Sequence, residues 1–207
     1  MSSPLPNVFL VDDDASVRRA LARLIKSAGH QVQTFASARE FLGTNADIEE
    51  AACLVLDVRM PGLTGIDLQR ELRTMNRNLP IVFITGHGDI PMSVNAMKAG
   101  AVDFLPKPVK DTDLLRAIAQ AIARAYRDRA ERKEIEDIQR RVEKLTPRER
   151  QVMTLVASGM PNKRIAFELG AAEKTIKVHR ARVMEKMQAG SLAELVRLAE
   201  RVGIGKA

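Results

Sequence analysis

Tryptophan is absent from this 207-residue chain, and cysteine and tyrosine occur once each. The single cysteine, Cys53, closes no internal disulfide and builds no cysteine zinc site. It fits a reducing compartment, so a cytoplasmic protein is expected. No apolar run approaches the ~18 residues of a membrane span. The opening MSSPLPN lacks the basic and apolar regions of a secretory signal, so no membrane partner is expected. Aromatic residues make up 3% of the chain, and beyond residue 145 only Phe167 is aromatic. That scarcity disfavours stacking on single-stranded bases. No glycine-rich fingerprint follows the first β-branched run, which disfavours a dinucleotide fold of the usual kind.

What is present is a globular composition, 45% hydrophobic and 29% charged, with enough apolar side chains for a core. The net charge of +7 is unevenly placed. Residues 1–125 carry 14 basic and 14 acidic side chains, and residues 126–144 carry 7 and 6. Residues 145–207 carry 12 and 6. A neutral front and a basic back predict two domains with different partners, the second a polyanion such as nucleic acid. The alternative on charge alone is a merely soluble basic surface.

Short β-branched runs alternate with helical patterns through residue 125. The predicted strands are Asn7–Val11, Gln31–Phe35, Cys53–Asp57, Ile81–Thr85 and Val102–Leu105. Helical patterns cover about 15–28, 37–43, 65–76, 90–99 and 111 onward. This alternation predicts a doubly wound α/β fold with a five-stranded parallel sheet, whose chemistry collects beyond the carboxyl ends of the strands. There the sequence places Asp12 and Asp13, then Asp57, then Thr85, and Lys107 after the fifth strand. Clustered carboxylates repel one another, and a divalent cation relieves the repulsion. Hard oxygen ligands with few protein contacts suit Mg²⁺. Asp57, ending the central apolar run, is the best candidate nucleophile toward a phosphoryl group. Asp12 and Asp13 are better placed as metal ligands, and Asp14 as the cap of the next helix. Taken singly, each has an ordinary reading: a helix N-terminal acid, a solvated lysine, a threonine bonded to its own backbone.

From Asp111 to Leu145 there is no glycine or proline. Ile135, Ile138, Val142 and Leu145 follow a 3–4–3 spacing, coiled-coil-like but two heptads long. A solvated connecting helix with internal ion pairs is the preferred reading. Thr146-Pro147-Arg148-Glu149 is a capping box that opens a helix to about Ala157. Asn162 is expected to cap the next helix, and Glu173–Met187 forms another with a basic outer face. This pair reads as a helix-turn-helix spanning Asn162 to Ala181, followed by a last helix over about Ser191 to Val202. Double-stranded DNA read in the major groove fits it best. Ala171-Ala172 leaves the second of these helices without a side-chain cap, a loss of about 0.5–2 kcal/mol locally.

The front segment resembles a response-regulator receiver domain of the FixJ/StyR type. The resemblance rests on Val11-Asp12-Asp13-Asp14, Leu56-Asp57-Val58-Arg59-Met60-Pro61-Gly62, Ile84-Thr85-Gly86-His87-Gly88-Asp89 and Ala96 through Pro108. It implies a flavodoxin-like receiver in which Asp57 accepts a phosphoryl group from a sensor histidine kinase. It implies that Asp12, Asp13, Asp57 and the Arg59 backbone carbonyl hold Mg²⁺. It makes Thr85 and Phe104 a switch pair, makes Lys107 a phosphoryl contact, and implies a cis bond between Lys107 and Pro108. The back segment is similar to the LuxR/NarL-type helix-turn-helix through Leu145–Arg150, Asn162-Lys163, Ile165-Ala166, Leu169-Gly170 and Lys174–Arg180. That resemblance assigns Lys177 and Val178 to base edges, and Lys174, Thr175, His179 and Arg182 to phosphates.

The expected organisation is a receiver over 1–124, a helical linker over 125–144 and a DNA-binding domain over 145–207. The expected function is a phosphorylation-activated transcriptional regulator. It dimerises through the surface from residue 90 to 120 and acts on two-fold-related DNA, as an activator engaging RNA polymerase. An aspartyl-phosphate hydrolase is the rival enzyme reading, but Arg59 stands where such enzymes usually carry a second acid. A constitutive DNA-binding protein with a docking domain is the other rival.

Overall fold

The computed structural model describes residues 7–44, 51–75, 77–86 and 90–205. His87, Gly88 and Asp89 of the resemblance lie outside them. By internal packing the chain forms two units, Met1–Asp128 and Arg129–Ala207.

The first unit is a five-stranded, all-parallel sheet. Its strands are β1 (Asn7–Val11), β2 (Gln31–Phe35), β3 (Ala51–Asp57), β4 (Ile81–Thr85) and β5 (Asp103–Pro106). The spatial order is β2-β1-β3-β4-β5, the flavodoxin-like order that the resemblance implied. β3 begins two residues earlier than expected, because Ala51 and Ala52 are small, buried and able to extend the ladder beside β1. Helices α1 (Ala15–Ser27), α2 (Ala38–Leu42), α3 (Gly65–Thr74) and α4 (Ile90–Lys98) alternate with the strands, and α5 (Asp111–Glu143) follows β5.

Strand side chains alternate between faces, and each face has its own core. Phe9, Leu54, Leu56 and Phe83 pack with Phe41 of α2, Leu68 and Leu72 of α3 and Ala96 of α4. Val8, Leu10, Val55, Val82 and Ile84 pack with Leu21 and Ile25 of α1 and Leu114, Ala117, Ile118 and Ala121 of α5. β3 is buried along its whole length. The chain moves from β1 to β2 on one side and then to β3 on the other. The carboxyl ends of β1 and β3 therefore flank the topological switch point, where such sheets bind ligands.

The second unit is all helix: the end of α5, then α6 (Pro147–Ala157), α7 (Asn162–Glu168), α8 (Glu173–Met187) and α9 (Leu192–Arg201). The Thr146–Glu149 capping box forms. Ala172 precedes α8 with no side-chain cap, as its sequence requires. Asn162 does not cap α7. It is the first helical residue, Pro161 holds the cap position, and the Asn162 side-chain Oδ1 accepts from Arg180 of α8 at 3.1 Å.

The apolar stripe at the end of α5 is not solvated. Ile138, Val142 and Leu145 lie in one core with Val152, Met153, Ile165, Ile176, Val183 and Leu195. The expectation of a free connector fails here because the 3–4–3 spacing finds its apolar partner in α6 to α9 of the same chain. Truncating Ile138 to alanine is therefore expected to destabilise the second unit by about 2–4 kcal/mol. Urea unfolding of the variant checks this, and an unchanged midpoint would mean a solvated helix.

Glu149 is 2% exposed and is held by Lys186 of α8 at 2.6 Å and by the Thr146 amide at 2.9 Å. The Lys186 hydrogen bond, helped by Thr146 and opposed by burial, lowers the Glu149 carboxyl pKa below its ordinary value. Its contribution is thus complete above the usual glutamate range and lost as pH falls through the lowered value. Lys186→Met is expected to lower stability by roughly 1–3 kcal/mol at neutral pH. The gap to wild type is expected to close as pH falls from the ordinary glutamate range through the lowered value, as measured by amide exchange in α6 and α8.

Candidate functional site

The carboxyl edge of the sheet gathers its polar groups as the sequence ordered them. Asp12 follows β1 and is fully buried, Asp13 beside it is exposed, and Asp57 ends β3 at 5% exposure. One carboxylate oxygen from each of the three lies within 4.8 Å of the others. Lys107, just past β5, donates to Asp12 at 2.7 Å and to Asp57 at 2.6 Å. A single ammonium thus bridges the two buried carboxylates and balances part of their repulsion. Burial raises the Asp12 pKa above the ordinary aspartate value, against the opposing pull of Lys107. Burial works against the Lys107 ammonium too, but its hydrogen bonds to Asp12 and Asp57 outweigh it and hold its pKa high.

Local structure fixes the carboxylates. The Asp14 amide donates to Asp12 at 2.8 Å and the Arg59 amide to Asp57 at 3.1 Å. The Asp14 side chain caps α1 through Ser16 and Val17, as expected. Behind Asp57 the chain turns tightly into α3. A Cβ at Gly65 would overlap the Asp57 carbonyl oxygen, so only glycine fits there. Thr85 ends β4 and is buried, one position beyond Ile84, the register partner of Asp57. Phe104 is half-buried, with its ring centroid 6.0 Å from that of Phe83. The Lys107–Pro108 peptide bond is cis.

Arg18 was not anticipated. From α1 it donates to the Asp12 carbonyl at 2.6 Å and the Asp13 carbonyl at 3.2 Å, pinning the loop that carries both acids. The sequence signal was a cation one turn into the helix that follows an acidic loop.

The second unit presents α8 as predicted. Ile176, Val183 and Met187 are buried, while Lys174, Thr175, Lys177, Val178 and Arg182 are exposed. Lys177 pairs with Glu173 at 3.4 Å. His179 is half-buried, and its Nδ1 is buried without a hydrogen-bond partner among the described residues. It is therefore less available to a phosphate than its neighbours. Among the described residues, no helix is long and apolar enough to cross a membrane.

Residues 8–119 match the family described as response regulator receiver domain. Residues 143–199 match bacterial regulatory proteins, luxR family. Nodulation protein W of Bradyrhizobium diazoefficiens is 52% identical over 198 residues, covering 95% of this chain and 86% of that protein. Transcriptional regulatory protein FixJ of Rhizobium meliloti is 44% identical, covering 96% and 97%. The solved structure of response regulator StyR superposes with a TM-score of 0.82 at 49% identity, covering 96% of this chain and all of that one. The chain belongs to the two-component response regulators, as a transcriptional regulator joining a receiver domain to a LuxR-type DNA-binding domain.

Proposed function

We propose that Asp57 is the phosphoacceptor and that its phosphorylation by a sensor histidine kinase drives dimerisation and promoter binding. The observation that carries this reading is the buried Asp57 carboxylate beside Asp12 and Asp13, with Lys107 hydrogen-bonded across the edge. One Asp57 oxygen attacks the phosphorus of the kinase's phosphohistidine, the P–N bond breaks, and the histidine nitrogen keeps the electron pair. The reaction is a single transfer to the protein itself, with later hydrolysis at the same group, rather than turnover of a separate substrate.

The donor set suits Mg²⁺: three hard carboxylates in reach of one another, one of them solvent-exposed. Asp12, Asp13, Asp57 and the Arg59 carbonyl would hold it. When bound, it supplies positive charge to the transferred oxygens. Lys107 would stabilise the same charge. The phosphoryl group brings about two negative charges to a buried edge. Thr85 hydrogen-bonds one of its oxygens, and Phe104 turns inward to fill the vacated space, shifting an existing equilibrium. The surface over residues 90–120 then becomes dimer-competent, with Val94 and Met97 of α4 exposed and apolar there. Two helix-turn-helix modules engage two-fold-related duplex DNA. Lys177 and Val178 read base edges, and Lys174, Thr175, Arg182 and, less accessibly, His179 take phosphates. The protein acts in the cytoplasm, as an activator that engages RNA polymerase. The functional division is receiver 1–124, linker 125–144 and DNA-binding domain 145–207.

The test treats wild type and Asp57→Asn with a small-molecule phosphodonor and Mg²⁺. Intact mass should rise by one phosphoryl group in wild type alone, and sedimentation velocity should move wild type alone from monomer to dimer. Equal labelling of both proteins, or a labelled wild type that stays monomeric, would contradict the reading.

A further inference from the structure

Phe167 is 89% exposed, more than any other large apolar side chain among the described residues. It sits on α7, the first helix of the helix-turn-helix, whose opposite face buries Ile165 and Ala166. Lys163 and Arg164 stand four and three residues before it, on the same side of the helix. Both are exposed, and neither has an ion-pair partner among the described residues. α7 is clamped at both ends: Arg180 of α8 donates to Asn162, and Arg148 of α6 donates to the Leu169 carbonyl. The outer face of α7 therefore holds a fixed attitude to α8. An aromatic ring kept in water beside two unpaired cations, on a rigid helix of a basic domain, calls for a partner both anionic and partly apolar.

The sugar–phosphate strand of duplex DNA is such a partner. When the second helix of this motif lies in the major groove, the first crosses the backbone. We infer that Phe167 packs on the deoxyribose face of that strand while Lys163 and Arg164 take the flanking phosphates. The inference rests on α8 being the groove-reading helix. A ring on a sugar releases no counterions, whereas a cation on a phosphate does. The two kinds of contact are therefore separable by their salt dependence.

The test is fluorescence anisotropy of the full chain, treated with a small-molecule phosphodonor and Mg²⁺, on a labelled mixed-sequence duplex of about three helical turns, across a salt series. Phe167→Ala should weaken binding by about tenfold at every salt concentration, leaving the salt slope unchanged. Phe167→Tyr should restore it. Lys163→Ala should lower the slope by about one. A Phe167→Ala variant that binds like wild type would overturn the inference and turn attention to a protein partner for the ring. A loss of binding accompanied by a lower melting temperature would also overturn it, because the ring would then be structural. Wild type that fails to bind duplex even at low salt would sink the groove-reading assignment itself, a failure distinct from that of the Phe167 contact.

Discussion

Lys107 bridging Asp12 and Asp57 is the interaction on which the receiver edge depends. Two buried carboxylates a few ångströms apart on neighbouring strands repel each other in a poorly solvated setting. The ammonium, 2.7 and 2.6 Å from them, offsets part of that repulsion. It also leaves the edge poised. A divalent cation held by these acids would compete with Lys107 for them, and a phosphoryl group on Asp57 would give the lysine a new anionic partner. The surrounding structure holds the acids in place for that exchange. Arg18 pins the Asp12 and Asp13 carbonyls, the Arg59 amide holds Asp57, and Gly65 lets α3 start hard against the Asp57 carbonyl.

The second unit solves a different problem, that of holding α8 steady without a cap. Ala172 offers α8 no side-chain bond, so its stability comes from tertiary contacts. Ile176, Val183 and Met187 enter the core, Lys186 closes on buried Glu149, and Arg180 grips Asn162. The end of α5 adds to this scaffold through Ile138 and Val142, and Arg141 donates to the Met187 carbonyl at 3.2 Å. A basic surface can then face outward from a helix whose inner side is fully packed.

Much of this was legible in the residues. Strand ends carry chemistry in open α/β sheets, so the order Asp12, Asp13, Asp57, Thr85, Lys107 points to the candidate site. The short alternating runs gave four of the five strand starts within one residue. Four features escaped for physical reasons. The apolar stripe of α5 looked solvated because its partners lie in helices that follow it, and periodicity shows a face without showing what covers it. Asn162 looked like a cap because its residue type favours one, but a tertiary bond to Arg180 prevailed over the local one. The exposed ring of Phe167 depends on three-dimensional placement that no spacing encodes, and the bonds of Arg18 left only a cation one turn into the helix as their trace.

The central claim is that Lys107 is the charge partner of the acidic edge and the competitor of the metal there. Mg²⁺ titration of wild type and Lys107→Met, followed by the rate of Asp57 phosphorylation from a small-molecule donor, tests it most directly. Removing the ammonium should tighten Mg²⁺ binding by roughly three- to tenfold, the scale of about 1 kcal/mol of relieved repulsion, while slowing phosphoryl transfer. Weaker Mg²⁺ binding in the variant, or phosphorylation at the wild-type rate, would contradict the account.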